Sequence, residues 1–346
     1  MMKWLLLLML ILQNVQTARA VEYTAPDAPP SAEIYMPEKT ESFSDGLLYI
    51  LKEAIFRFQP NIAEAVALCL RLVVVILLVS VLKNFYSTSK VIINLVSVMC
   101  ISVMLIQSTN SLIQLGINTV AEISEYGKLL LPVMTAALAA QGGISSSAAI
   151  YTGTAFFSAI LSAMIGKVII PLMYFYMVLC IGYRAVGEEI LKNLRDFLKW
   201  IIVWSIKIVL YVFTGYLTIT GIISGTTDAA ALKATKLTIS GVVPVVGGII
   251  SDASDTILVS AGIVKNAAGV YGLLAILAIW IGPFLKIGVQ YLLLKASAAL
   301  CGGIAGDATS GLIKDFSGIM GILVAMIGTI CLLFLVSIVC YLRGVT

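Results

Sequence analysis

Residues 318–342 read GIMGILVAMIGTICLLFLVSIVCYL, an unbroken run without one charged side chain. A helix needs about 20 predominantly apolar residues to cross the hydrocarbon core of a bilayer, and this run exceeds that. The same character extends through the chain. Of its 346 residues, 60% are hydrophobic and only 12% charged, histidine is absent, and the mean hydropathy is +1.05. A soluble domain carries about 25% charged and 45–50% apolar residues, so a water-soluble fold is excluded. The missing histidine excludes Ser-His-Asp and Cys-His catalysis, HExxH zinc sites and histidine-held haem.

Further apolar runs lie at Ile62–Leu82, Val91–Leu112, Leu129–Ala148, Ala149–Gly166, Val168–Tyr183, Trp200–Ile223 and Gly269–Leu294. Together they predict an all-α polytopic membrane protein with about eight transmembrane helices. Between Gly225 and Gly269 the chain is apolar but interrupted by Pro244, Gly247, Gly248 and several aspartates, among them Asp228, Asp252 and Asp255. Broken or re-entrant helices are expected there, and a helix break also at Pro132. Such breaks persist at membrane depth only when buried in protein or lining a wet cavity, which makes these seven positions candidates for lining one. Lys207 and Lys286 fall inside apolar runs; Lys207 either snorkels or faces the bundle interior.

Ahead of the spans, residues 1–20 have the form of a secretory signal. Lys3 is the basic start, Trp4 to Leu12 the apolar core, and Ala18-Arg19-Ala20 an AxA cleavage site. Residues 21–45 are acidic and proline-bearing, and their composition predicts a flexible extracytoplasmic tail. Over 46–61, Leu48, Leu51, Ile55, Phe58 and Ile62 recur at spacings of three and four, which predicts an amphipathic helix on the membrane or against a partner. The polytopic domain follows over 62–346.

Basic residues set the expected orientation. Lys83 and Lys90 flank one loop, Arg184, Lys192, Arg195 and Lys199 fill another, and Lys295 and Lys314 mark a third. The positive-inside rule places all three in the cytoplasm, and the acidic tail and the loop holding Glu122 and Glu125 outside. Matching segments at Leu82-Lys83-Asn84-Phe85 and Leu191-Lys192-Asn193-Leu194 suggest a parallel internal repeat, at about 82–190 and 191–300, with a terminal helix over 318–342. A third match pairs Arg195-Asp196-Phe197 with Lys314-Asp315-Phe316. Gly221 with Gly225, and Gly302 with Gly306, have small-xxx-small spacing and are candidates for close helix packing.

Catalytic signals are lacking. No GxxxxGK[ST] loop occurs, no carboxylate pair stands at catalytic spacing, and the serines of Ser145–Ser147 have no base. Six scattered cysteines without a CxxC pair read as packing residues. No enzyme, catalytic residue, metal, cofactor or nucleic-acid partner is expected.

One central block carries a resemblance. Thr214-Gly215-Tyr216-Leu217-Thr218, Thr226-Thr227-Asp228, Lys233-Ala234-Thr235-Lys236 and Pro244-Val245-Val246-Gly247-Gly248 are its first part. Ser251-Asp252-Ala253-Ser254-Asp255-Thr256 and Lys265-Asn266-Ala267-Ala268-Gly269 complete it. This block closely resembles the stage III sporulation protein AE family of endospore-forming Firmicutes. The resemblance implies a multi-pass protein of the mother-cell membrane around the forespore. It also implies membership of a channel or secretion-like apparatus that supports late forespore gene expression. Implied partners are other proteins of the stage III sporulation operon, including a separate ATPase and ring-forming proteins, and a forespore membrane protein. The alternative function is a stand-alone secondary transporter of a small solute.

Overall fold

The computed structural model describes residues 25–37, 43–85, 90–220, 247–305 and 307–343. Its elements are α1 (Pro30–Glu33), α2 (Phe43–Arg57), α3 (Gln59–Phe85), α4 (Lys90–Ala140) and α5 (Ile144–Met164). A π-helical turn, Ile165–Ile169, carries α5 directly into α6 (Ile170–Val186); α7 (Glu189–Ile219), α8 (Gly247–Ala305) and α9 (Asp307–Arg343) follow. Among the described residues, 6 helical segments are long and apolar enough to cross a membrane. They are Ile62–Val81, Ile92–Ala140, Ile144–Val186, Glu189–Ile219, Lys265–Gly303 and Asp307–Arg343.

The all-helical membrane reading therefore holds, with six segments where the sequence suggests eight. The difference lies in where the helices turn. The expected span Leu129–Ala148 is cut by the turn at Gln141-Gly142-Gly143, where Gly142 takes a φ of 92°, a conformation open to glycine. The expected boundary between Ala149–Gly166 and Val168–Tyr183 is not a break. Pro171 lacks an N–H and its ring crowds the carbonyl four residues back, that of Lys167; the wider π turn around Lys167 absorbs the misfit. Pro132 likewise lies inside α4 without ending it, and Pro283 lies inside α8. The 51 residues of α4 extend about 76 Å at 1.5 Å per residue, well beyond a hydrocarbon core of about 30 Å.

At the centre is α9. Over 318–342 it is apolar on every side, as a helix enclosed by others must be, and it packs against α8, α4, α5, α6 and α7. Gly116 of α4 faces Leu323 and Met326, Gly127 faces Phe334, and Thr135 Oγ1 lies 2.7 Å from Tyr341 Oη. These pairs rise together in number, so α4 and α9 run side by side in one direction. By the same criterion α3 and α8 are parallel, since Glu64 pairs with Lys286 and Cys69 with Ser297. One end of the bundle thus gathers the C-terminus of α3, the α6–α7 turn and the α8–α9 junction. Those are the three places where the basic clusters fall in the sequence.

Residues 25–37, part of the 21–45 segment whose composition reads as a flexible tail, lie against the bundle. Their polar composition prevents folding alone but not docking. Ala32 is fully buried, α1 packs on α8, and Ser31 Oγ donates to Glu122 Oε2 at 2.8 Å. The Ala28 amide donates to Tyr271 Oη at 3.3 Å, Tyr126 Oη donates to the Pro26 carbonyl at 3.4 Å, and Tyr35 lies over Gly282. Glu122 belongs to continuous helix, not to a loop, yet it shares a level with the acidic segment as the charge pattern requires. The amphipathic helix is present as α2, with a different stripe turned inward. Gly46, Ile50, Ala54 and the following Phe58 are buried, whereas Leu48, Leu51 and Ile55 face outward.

Candidate functional site

A cavity of about 430 Å³ opens between α3, α4 and α8. From α3 come Glu64, Leu68 and Arg71; from α4, Gln107, Ser108 and Ser111; from α8, Lys286 and Gln290. Polar walls between apolar helices cost free energy unless a polar occupant or water satisfies them. Lys286 Nζ lies 3.8 Å from Glu64 Oε2, a loose ion pair. Arg71 has no ion-pair partner among the described residues. Gln290 is 95% buried, being 5% exposed, and its Nε2 has no hydrogen-bond partner. The site therefore presents two cations against one carboxylate, plus an unused buried amide donor. Chemically it favours an acceptor-rich, negatively charged group.

The spacing that builds this wall is helical. Glu64, Leu68 and Arg71 follow one another at four and three residues, as do Gln107 and Ser111 at four, so each trio or pair shares a face. Sequence reasoning singles out Lys286 but misses Glu64, Arg71 and Gln290. The signal for Arg71 was available, as an ionisable residue inside an apolar run. Gln290 carries none, because only the packing shows that its amide is buried and unpaired.

A second polar cluster joins α6, α7 and α9 at the basic end. Arg184 Nε and Arg195 Nη1 both donate to Asp315 Oδ2, at 2.9 and 3.1 Å. Arg195 also holds Asp196 through Nη2 and Nε, at 2.8 and 3.0 Å. Both guanidinium carbons lie 4.9 Å from the Tyr183 ring centroid. The Arg195 and Asp315 side chains are only 10% and 12% exposed. Gly187, with a φ of 85°, closes α6 and lets α7 return at once, which brings Arg184 and Arg195 to one point. Gly311 permits the approach, since an added Cβ there would collide with the Arg184 guanidinium. Asp315 and Asp196, paired in the sequence match, thus share Arg195 as a partner. Every group in this cluster is satisfied by another, which marks it as a helix clamp.

Of the candidate lining positions, Pro132 lies exposed in α4, away from the cavity. Gly247 and Gly248 open α8, and Asp252 and Asp255 fall on its first turns, so the expected break is absent from 247 onward. Asp228 and Pro244 lie outside the described residues, as do Gly221, Gly225 and Gly306. Gly302 makes no close approach: nothing lies within 4 Å of a Cβ placed there. Tight glycine contacts include, besides Gly311 on Arg184, Gly127 on Phe334, Gly153 on Tyr216, Gly262 on Gln141, Gly269 on Leu342 and Gly272 on Leu130.

Comparison with known proteins agrees with the resemblance read from the central block. The chain is 22% identical over 240 residues to stage III sporulation protein AE of Bacillus subtilis (strain 168), covering 69% of this chain and 60% of that protein. The chain thus spans less than two thirds of the relative's length. No solved structure matches. The family model for stage III sporulation protein AE matches residues 37–343, nearly the whole helical bundle, and the chain belongs to that family.

Proposed function

We propose that this protein is an integral membrane component of the channel or secretion-like apparatus between mother cell and forespore. In this reading it is required for sporulation and late forespore gene expression, and it works by assembly with partner proteins. The observation that carries the reading is the family match over residues 37–343 on a chain with six membrane-length apolar helices. The placement that fits is the mother-cell membrane around the forespore, with the N-terminus extracytoplasmic. The outward stripe of Leu48, Leu51 and Ile55 on α2 offers an apolar face for a partner or the bilayer. Proposed partners are the other stage III operon proteins, including the separate ATPase and ring-forming proteins, and a forespore membrane protein.

Affinity purification of a tagged, functional copy from gently solubilised sporulating cells tests the proposal. Recovery of the ATPase and ring proteins is the expected result. A stable protein free of partners, taking up a small solute in liposomes, would overturn it in favour of a stand-alone secondary transporter.

A further inference from the structure

We propose that the cavity between α3, α4 and α8 binds a phosphate-bearing anion, held by Arg71, Lys286 and the side-chain amide of Gln290. Three observations converge on this ligand class. First, the charge is one-sided: Glu64 engages Lys286 only at 3.8 Å, and Arg71 is left without an ion-pair partner among the described residues. A guanidinium matches the planar pair of oxygens that a phosphate offers. Second, Gln290 Nε2 is a buried donor with no acceptor, an unfavourable state that a ligand or water oxygen relieves. The nearby Ser108 and Ser111 hydroxyls add donors that adapt to a phosphate oxygen.

Third, the cavity lies at a fixed level on the bundle. Below it, the outer face of α4 is apolar, with Ile92, Leu95, Val96, Met99, Val103 and Ile106 exposed. From Gln107 upward the exposed positions become Asn110, Ser111, Gln114 and Asn118. The outer face of α3 is likewise apolar from Leu70 to Val81, except at Arg71. The cavity mouth thus sits where the outer face of α4 turns from apolar to polar, while on α3 exposed Ile62 and Val66 continue the apolar surface beyond Arg71, so it opens beside lipid-facing surface. Its volume of about 430 Å³ falls in the range of small-molecule sites and exceeds what one phosphate fills. A phospholipid headgroup and a free phosphate compound share this chemistry, and the inference does not depend on the assembly role proposed above.

The test uses the full chain, purified and delipidated in detergent. Native mass spectrometry measures binding of phosphatidylglycerol against a neutral glucosyl diacylglycerol, and a thermal-shift titration measures inorganic phosphate. The same assays are run on Arg71→Gln and Gln290→Leu. The second variant replaces an unpaired buried donor by an apolar group of similar size, so it is expected to keep the fold. Preferential, saturable binding of phosphatidylglycerol that falls at least tenfold in both variants supports the site with a lipid as its source. Stabilisation by inorganic phosphate alone, lost in both variants, supports it with a soluble source. Equal binding of the charged and neutral lipids with no phosphate effect overturns the proposal, as does wild-type binding by both variants.

Discussion

Asp315 holds two arginines from two other helices on one carboxylate oxygen, and little water reaches any of the three. Removing one member of such a group leaves the others charged and enclosed, which costs about 3–5 kcal/mol. Asp315→Ala is therefore expected to lower the thermal midpoint of the detergent-solubilised protein sharply. An unchanged midpoint would show that the clamp contributes nothing. Glycines divide by what stands opposite them. At Gly127 the Phe334 ring occupies the place of a side chain, so Gly127→Ala should cost about 1–3 kcal/mol by overpacking. Gly302 faces open space, so Gly302→Ala should gain about 0.5–1 kcal/mol from helix propensity. Thermal unfolding of the pair, measured side by side, checks both signs.

Among the elements, α2 carries the clearest division of labour. Ile50 is buried against the bundle, and Ile50→Ala should cost about 2–5 kcal/mol. Replacing Leu48 and Ile55 by Gln should leave the unfolding midpoint almost unchanged, while weakening attachment of α2 to liposomes or to co-purifying proteins. Loss of fold in that double variant would mean the stripe serves the bundle itself. Three- and four-residue spacing made this helix legible, but not the side it turns inward, because small residues such as Gly46 and Ala54 let backbones approach more closely than leucines do. Apolar runs announced the membrane helices, yet run length reports burial as much as bilayer crossing. That is why α4, and α5 with α6, absorb segments that the sequence divides. Pro171 illustrates the limit, since a π turn lets helix continue where proline suggests a stop. The cavity was hardly legible at all. Its residues come from three helices, and Gln290 became informative only once its neighbours were known.

At the scale of the whole molecule, the charge pattern and the packing point to one axis. Arg184, Arg195 and Asp315 meet at the end where the α6–α7 turn and the α8–α9 junction lie, and Gln141 lies at the α4–α5 turn at the other. With the native cysteines replaced, Glu188→Cys should resist a membrane-impermeant maleimide in intact cells, and Ser145→Cys, exposed just after the same turn, should react. The reverse pattern would invert the orientation that the basic clusters imply.

Residues 25–37 form a latch across this axis, fastened to Glu122, Tyr126, Tyr271 and Gly282. Two of its four anchors are about 240 positions later in the chain, so the segment that leaves the ribosome early must wait for α8 before it can seat. Seating therefore requires that α8 has been made. A nascent chain halted before residue 247 would present an open latch to proteases and quality-control factors, and a finished one would not.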